Sequence, residues 1–304
     1  MSKSKKAETQ DRPAGKSKKT QIIEDIFNAR WDDENKTLSD RIVTLEQVSR
    51  AIREYNAQHP GPPLSDRNPA NFFKDFIRNR NSANTNWPSS IFQRGYTARQ
   101  RTGANECLEF VPVASGQTEP FPNLLPAPTE ETPRRKIESV SMPLASRRLG
   151  RKDEPWLVQV LVRLRVIETH LALFSKRKIV QIDHLQMSVK LQESEIDALF
   201  LAIELVNGET PATTREVLVS CEAKGLRDDV LEDQVLRQVQ TVFRMPGVPQ
   251  DLVLPVAVKA FARSMVRVVE FDVVARADAP ALSALSIVSD AVYELVPPVP
   301  GIGE

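Results

Sequence analysis

The feature that most constrains the fold is a succession of apolar segments of strand or helix length over residues 156–304. VLVSCEAKG is a short apolar run that indicates a buried strand, whereas WLVQVLVRLRVIETHLALFS is apolar at helical spacing and long enough for a buried helix. DDVLEDQVLRQVQTVFR predicts a second helix, with Leu231, Val235 and Val242 facing inward. Because strands that alternate with helices are typical of α/β domains, we expect a mixed sheet flanked by helices. The domain begins near Trp156, and AVYELVPPVP closes it as an edge strand.

Residues 21–113 follow a different pattern. IIEDIFNARW predicts a short amphipathic helix, and Thr44 begins a second helix, TLEQVSRAIREYNAQ, with Gln47 at the spacing of a capping box. The turn region HPGPPLSDRNP precedes NFFKDFIRN, a third helix capped by Asn68 or Asn71, and ECLEFVPV ends the segment as a short strand. Helix, turn, helix and a short β ending predict a small winged-helix-like α+β domain.

Two further segments have little to bury. Residues 1–20 are mostly Lys, Ser and Thr, which predicts a disordered basic tail that acts as a solubilising segment or as a tether to phosphates. Residues 114–155 contain seven prolines, which predicts a Pro-rich basic linker. The second half of that linker, SMPLASRRLGRKDEP, is strongly basic, and its packing on one of the domains stays open.

Composition excludes several classes of protein. Lys and Arg number 41 against 40 Asp and Glu, so any nucleic-acid binding would depend on a local patch of charge. Two cysteines are too few for a Cys-only zinc site, and the three scattered histidines leave carboxylates as the ligands of any metal. The chain has neither a secretory leader nor an apolar run of about 18 residues, so we expect a cytoplasmic protein with no membrane partner.

A local basic patch lies between Phe73 and Arg101, where six basic residues face one acid, Asp75. Asn residues, Trp87 and Tyr96 are interleaved with them. Because Arg and Asn side chains read the edges of bases, we expect this patch to contact DNA, and a solvated basic face is the alternative. The predicted DNA-binding residues are Lys74, Arg78, Arg80, Arg94, Arg99 and Arg101.

Two strands carry charged residues where a buried sheet would not need them. In ESEIDALFL, alternation places Glu193, Glu195 and Asp197 on one face. In VLVSCEAKG, Glu222 and Lys224 share a face with Ser220. Because a core cannot hold unpaired charges, this arrangement indicates a site. Two carboxylates suit Mg²⁺, which activates water and neutralises charge on a phosphate, and an adjacent lysine contacts the phosphate, so the predicted chemistry is phosphodiester hydrolysis.

Asp197 followed by Glu222-Ala-Lys224 resembles the PD-(D/E)xK nuclease superfamily, which includes many type II restriction endonucleases. The resemblance covers about residues 140–297, with Ile196 standing where the name has Pro. It implies a restriction-endonuclease-like sheet, Asp197 and Glu222 as metal ligands, and Lys224 as the catalytic lysine. It further implies an additional catalytic acid at Glu168, and it matches a supporting glutamine to Gln234 and Gln238, of which we expect Gln238 to fill that role.

Each of these residues also has a purely structural interpretation. Glu222 and Lys224 would form a surface ion pair at a strand end, and Asp197 would be an ordinary strand-end acid. Glu195 fits a supporting or exposed acid better than a ligand, and Glu168 would pair with Arg163 or Arg165 on its own helix. The glutamines would lie on a helix surface. We expect His170, His184, Cys221 and Trp156 to be packing or hydrogen-bonding residues.

The resemblance implies a Mg²⁺-dependent endonuclease, with Mn²⁺ as a substitute, that hydrolyses double-stranded DNA. The expected context is sequence-specific restriction or anti-phage defence, with a DNA methyltransferase as genetic partner. Because cutting two strands needs two active sites, a homodimer is the simplest arrangement. The alternatives are a non-catalytic DNA-binding regulator on a degenerate nuclease scaffold and a structure-specific DNA repair nuclease.

Overall fold

A computed structural model of the chain describes residues 17–77, 86–101, 105–190, 195–206 and 213–304. Most of the predicted tail (residues 1–16), Arg78, Arg80 and Glu193 lie outside the described residues. The described chain is mixed α/β, with a three-stranded sheet in its N-terminal part and an eight-stranded mixed sheet flanked by helices in its C-terminal part. The prediction of a large mixed sheet between helices is therefore confirmed. None of the helices in the described ranges combines the length and apolarity needed to cross a bilayer.

The N-terminal module, residues 17–113, contains short helices around a small antiparallel sheet of order β3-β5-β4. Its elements are α1 (Lys18–Asn28), β1 (Trp31–Asp32), β2 (Thr37–Leu38), β3 (Ile42–Thr44), α2 (Leu45–Gln58), a 3-10 turn (Pro69–Asn71), α3 (Lys74–Ile77), α4 (Ser89–Gln93), β4 (Tyr96–Gln100) and β5 (Glu106–Pro112).

Local capping chemistry sets the starts of the two longest helices of the module. The Thr44 hydroxyl accepts from the Gln47 backbone N–H at 3.2 Å, and the Gln47 side chain accepts from the Thr44 N–H at 2.8 Å. This confirms the predicted capping box. Ser17 caps α1 in a similar way, accepting from the Thr20 N–H at 3.1 Å. Residues 18–20, predicted as part of the disordered tail, are therefore helical, because the cap lies one turn earlier than the apolar pattern indicates.

The sheet domain, residues 134–304, has the strand order β6-β13-β11-β10-β9-β8-β7, with β12 beside β10. The pairs β6–β13 and β9–β10 are parallel, and the other pairs are antiparallel. Its elements are β6 (Arg134–Glu138), α5 (Leu144–Arg148), α6 (Glu154–Arg163), α7 (Val166–Phe174), β7 (Ile179–Lys190), β8 (Glu195–Leu205), β9 (Thr214–Lys224), α8 (Glu232–Arg244), β10 (Leu252–Ala262), β11 (Met265–Phe271), β12 (Val274–Ala275) and β13 (Ile287–Val296).

Apolar side chains alternate between two layers of packing on this sheet. On one face, Val160 of α6 and Leu171 of α7 share a buried cluster with Phe200 and Val219 of the central strands. On the other face, residues of α8 such as Val239 form a second buried cluster against β9 and β10. Because β9 is covered on both faces, seven consecutive residues of this strand are buried.

The predicted single helix over residues 156–175 is two helices. The break falls at Arg165, which adopts the left-handed conformation with φ 51° between α6 and α7. Both helices pack on the same face of the sheet, so the apolar periodicity continues across the break and gives no sign of it.

The position of β6 corrects two predictions, one about the edge of the sheet and one about the linker. β13 was expected at the edge, but β6 pairs with it on the outside, so β13 is an inner strand. β6 lies within residues 114–155, which therefore do not act only as a linker. Its sequence, RRKIE, carries a single buried apolar residue, Ile137, and this is too short a pattern to be distinguished from charged coil.

The remaining part of the predicted linker joins the two parts of the chain firmly. Phe121 packs edge-on against Phe73 and Trp87 in the core of the N-terminal module. The backbone N–H of Leu124 donates to the carbonyl of Val230 at 2.8 Å, and Leu231, just before α8, is buried in the core of the module. The module is therefore fixed on the sheet domain at the loop that leads into α8.

Candidate active site

The pairing of β8 with β9 brings the predicted acids to one end of the sheet. Ala198 lies opposite Cys221 in this antiparallel pair, so Asp197 and Glu222 are neighbours across the next position. The Asp197 carboxylate accepts a hydrogen bond from the Ala223 backbone N–H at 2.7 Å. Cys221 and Ala223 point into the apolar core, so the intervening residues point to the opposite face, as the alternation predicts.

Lys224 lies between two carboxylates. Its Nζ is 2.6 Å from Glu222 Oε1 and 3.0 Å from Glu154 Oε1, and only 12% of its side chain is exposed. Glu154 is the first residue of α6, whereas the sequence predicts it as part of the linker. The order Asp153, Glu154, Pro155 is a helix N-terminus signal, with Asp153 as the N-cap, so the sequence indicates where the helix begins but not that Glu154 meets Lys224.

Gln238 holds the other side of Glu222. Its amide nitrogen donates to Glu222 Oε2 and, at 3.0 Å, to the backbone carbonyl of Glu195. The side-chain oxygens of Gln238 and Gln234 and the hydroxyl of Ser220 are buried without a hydrogen-bond partner among the described residues.

Burial and like charge perturb the acids. Burial, and next the charge of Glu222, raise the pKa of Asp197 to about 8. The pKa of Glu222 is raised, chiefly by burial. Burial alone would lower the pKa of Lys224, but the charges of Glu222, Glu154 and Asp197 outweigh burial and raise that pKa above its usual range. Lys224 is therefore a cation and hydrogen-bond donor, and it is unsuited to act as a base.

The site opens into a cleft of about 710 Å³ that both parts of the chain line. Its floor contains Asp197, Glu222 and Lys224, and Glu195 lies at its rim as an exposed acid. Lys74 and Gln100 of the N-terminal module line the same cleft. A concave polar site with perturbed titratable groups is the usual form of an active site.

The donor set fits a Mg²⁺ ion. Across the described ranges, no group of three or more His, Cys, Asp or Glu side chains converges to hold a metal on its own. Mg²⁺ does not need such a group, because it is usually held by one or two carboxylates together with waters and substrate phosphate. Asp197 and Glu222 supply two hard oxygen ligands, and the cation would favour the ionised form of Asp197 against the burial and the charge of Glu222 that raise its pKa.

Glu168 is not brought to this site. It lies on α7 outside the set of residues that line the cleft, and its Oε2 is buried without a hydrogen-bond partner among the described residues. Burial raises the pKa of its carboxyl group. The resemblance assigned the additional catalytic acid to Glu168, which is the acid of the sequence VIETH and lies on α7. The break at Arg165 separates α7 from α6, and it is α6 that contributes an acid, Glu154, to the site.

His170, His184 and Trp156 lie outside the set of residues that line the cleft. His170 is fully buried, bonded to the Tyr293 hydroxyl at 3.1 Å and to the Ser289 hydroxyl at 3.0 Å, and burial lowers its pKa to about 4. His184 packs against Phe200 in the sheet, away from the cleft. Trp156 is buried at the start of α6.

Among the described residues of the predicted basic patch, Arg99 and Arg101 are paired with acids. Arg99 Nη2 is 2.9 Å from Glu109 Oε2, and Arg101 Nε is 2.7 Å from Glu106 Oε2. Both acids lie on β5, beyond the window in which the basic excess was counted. Arg94 donates to the Asn28 side chain at 2.6 Å and lies over the Trp31 ring. Of the four predicted DNA-binding residues that the structure describes, Lys74 alone lines the cleft.

Comparisons of the chain with protein-family models, with curated proteins and with solved structures found no significant match. The interpretation of the site therefore depends on its own geometry and on the chemistry of its side chains.

Proposed function

We propose that the protein is a Mg²⁺-dependent DNA endonuclease that hydrolyses phosphodiester bonds, with Mn²⁺ as a substitute metal. The observation that carries the proposal is the convergence of Asp197, Glu222 and Lys224 on the floor of one cleft, where Glu222 is 5% exposed. Buried charges are unfavourable unless they are paired or used. Two neighbouring carboxylates with a lysine form an arrangement that serves to bind a metal and a phosphate.

The side chains have separable roles in this proposal. Asp197 and Glu222 would hold the metal, which would supply Lewis-acid polarisation of the phosphate and a lower pKa for the attacking water. Lys224 directs its ammonium at a non-bridging phosphate oxygen and offsets the charge that develops there. Glu154 fixes the lysine, and Gln238 fixes Glu222 through the oxygen that the lysine does not contact. These two are positioning residues.

The proposal also covers the fold of each part of the chain, the number of copies that act together and the biological role. We propose that the sheet domain is restriction-endonuclease-like, that the N-terminal module is winged-helix-like and contacts double-stranded DNA, and that two copies act together on the two strands. A restriction role with a methyltransferase as genetic partner follows from the same resemblance. The presence of Asp197, Glu222 and Lys224 together in the cleft favours catalysis over a degenerate scaffold.

The test is cleavage of plasmid and phage DNA by the full-length protein. We expect Asp197→Ala, Glu222→Ala and Lys224→Ala each to lower the cleavage rate by a factor of at least about 100 while DNA binding largely survives. Glu216→Ala is the matched control, because Glu216 is an exposed acid at the opposite end of the same strand. We expect this variant to keep the wild-type rate.

The metal requirement is tested in the same assay. Mg²⁺ or Mn²⁺ should support cleavage, and Ca²⁺ should support binding with little cleavage, because Ca²⁺ is larger and less demanding in geometry. Discrete bands would indicate site-specific cutting, and a smear would indicate a non-specific or repair activity. Wild-type cleavage by Glu222→Ala, or full activity after exhaustive EDTA treatment, would refute the proposal.

A further inference from the structure

A basic segment, residues 139–152, connects the outer edge of the sheet with the cleft. It follows the end of β6, contains α5, and ends at Lys152, which lines the cleft. β6 ends at Glu138 beside Val296, and β13 finishes at the same end of the sheet as β9, where Lys224 lies. The basic segment therefore runs along the end of the sheet that carries the candidate active site.

The basic segment is packed on the sheet domain. Met142 is buried in the apolar cluster that α6 and α7 share with the sheet. The Arg147 guanidinium donates to the Ser139 carbonyl and, at 3.1 Å, to the Ser139 hydroxyl. A Cβ at Gly150 would lie 2.6 Å from the Pro300 carbonyl oxygen, so the segment also packs closely against the C-terminal residues. Its backbone therefore follows one defined path, from which its other side chains project outward.

Positive charge is concentrated on the basic segment. It contains four basic residues and no acid, and three basic residues of β6 precede it. Arg151 pairs with Asp153 at 2.6 Å, and 74% of the Arg151 side chain is exposed. Lys152 pairs with Glu304 at 3.8 Å and is 66% exposed. Exposed ion pairs of this kind are weak, so these cations are available to a phosphate.

Apolar side chains are exposed among these cations. Among the described residues, the three most exposed large apolar side chains all lie on the basic segment, and they are Val140, Leu144 and Leu149. Large apolar groups that stay exposed within one short segment indicate an interaction surface. DNA-binding proteins place such side chains against base steps, beside the cations that hold the phosphates. An anionic lipid surface would accept the same combination, but the path of the segment to the cleft favours a ligand that the site can act on.

From these observations we propose that the basic segment binds double-stranded DNA and positions it at the cleft. Its outward arginines, Arg148 and Arg151, hold phosphates without reading the base sequence. The inference depends on the proposed nuclease function, and it adds a DNA-binding surface that belongs to the sheet domain.

Binding of a labelled duplex by the full-length protein in EDTA tests the inference. The variant Arg148→Ala/Arg151→Ala removes two exposed cations of the segment. The matched control is Lys176→Ala/Lys178→Ala, which removes two exposed cations just before β7, at the opposite end of the sheet.

We expect the arginine variant to reduce the slope of log affinity against log salt concentration by about 1.8, which is about 0.9 for each lost phosphate contact. At about 0.1 M salt its affinity should fall by at least about tenfold. Two duplexes of unrelated sequence should show the same loss, because contacts to phosphate carry no sequence information. The lysine control should keep the wild-type slope and affinity.

A charge-conserving variant separates the charge of the arginines from their packing. Arg148→Lys/Arg151→Lys should keep most of the wild-type affinity and slope, because lysine binds phosphate as a point charge. A loss as large as that of the alanine variant would show that the arginines act through the structure of the segment, and it would overturn the inference.

The remaining outcomes separate the inference from the function on which it depends. Unchanged DNA binding by Arg148→Ala/Arg151→Ala would overturn the inference and leave the nuclease function intact. The same holds if this variant binds DNA normally but loses binding to vesicles of phosphatidylserine and phosphatidylcholine, because the segment would then bind lipid. Segment-dependent DNA binding without metal-dependent cleavage by the wild-type protein would support the binding surface and overturn the nuclease function.

Discussion

Asp197 is held in an environment that opposes its charge. Its pKa of about 8 in the folded protein compares with an ordinary value of 3.8, so the folded state retains a proton that the unfolded chain releases. The stability that this group contributes is therefore fully present below about pH 4 and is lost as the pH rises toward 8. The metal-free protein thus carries a destabilised site at neutral pH, as is common where function needs buried charge.

We predict that Asp197→Asn stabilises the metal-free protein in mildly alkaline solution. Asparagine keeps an acceptor for the Ala223 N–H but has no charge to bury. Urea unfolding in EDTA at about pH 8 should show a gain of at least about 1 kcal/mol, and the gain should shrink toward pH 5. Asp251→Asn, at a side chain that is 84% exposed, should show no such dependence. A gain that is independent of pH would disprove the argument.

At the residue scale, the sequence could supply what depends on alternation within one strand. The shared faces of Asp197 and of Glu222 with Lys224 were predictable because strands place every second side chain on one face, whereas Gln238 was expected only from the resemblance. The contribution of Glu154 depends on where a helix begins relative to a strand 70 residues later in the chain. The pairing of Arg99 and Arg101 depends on which strand lies beside β4. The spacing of residues within one helix or one strand therefore predicts neither the contact of Glu154 with Lys224 nor the pairing of Arg99 and Arg101 with acids.

At the element scale, the C-terminal segment supports the helix that carries Glu154. The indole N–H of Trp156 donates to the Pro300 carbonyl at 2.9 Å, and Val299 and Ile302 are buried. Gly301 has φ +83°, and a Cβ at this position would lie 2.0 Å from the Arg151 carbonyl oxygen. The segment and the start of α6 therefore approach each other at a contact that only glycine permits.

We predict that Gly301→Ala is much more damaging than the same change at a glycine in open space. Gly116 has a similar φ of +80° but nothing within 4 Å of a Cβ, so Gly116→Ala should lose only the backbone term of about 1–2 kcal/mol. Gly301→Ala should lose at least about 2 kcal/mol more, because the segment must move and uncover apolar residues. Chemical denaturation of both variants provides the comparison. Equal losses in the free energy of unfolding would show that the C-terminal segment can move away from Arg151 without a further loss of stability.

Some of the helices and strands were predicted from the sequence, and others were not. The capped helix α2 and the buried strand β9 follow from short-range rules, and both were found where expected. The break at Arg165 was missed because packing on a shared sheet face hides it. The strand β6 was missed because RRKIE has a single buried apolar residue, and its partner β13 lies about 158 residues later in the chain. Tertiary partners decide these two elements, and the sequence near them does not.

At the scale of the whole molecule, the two parts of the chain share a core. Leu231 belongs by sequence to the sheet domain but is 7% exposed within the apolar cluster of the N-terminal module. We therefore expect the backbone amides of the module and of α8 to lose protection from hydrogen exchange together when this contact is weakened. Leu231→Ala should reduce the stability of both by about 2–5 kcal/mol, the usual range for truncating a buried leucine.

Hydrogen exchange measured by mass spectrometry tests this coupling. Peptides that cover β4 in the module and α8 in the sheet domain should both exchange faster in Leu231→Ala. Leu226→Ala is the control, because Leu226 lies in the same loop but is 38% exposed, and it should change stability by no more than about 0.5 kcal/mol. Faster exchange confined to α8 would show that the module is held by other contacts.

The pairing of β6 with β13 has a consequence for synthesis of the chain. Arg134 lies beside Val292, so the outermost strand leaves the ribosome about 158 residues before its partner. Until β13 emerges, β6 has no neighbour, and the inner strands of the nascent sheet expose an open edge. Pairings of such long sequence separation form slowly and leave unfinished edges open to aggregation. This sheet is therefore completed only once β13 has left the ribosome, and a chain that stops before Ile287 lacks the strand that joins β6 to β11.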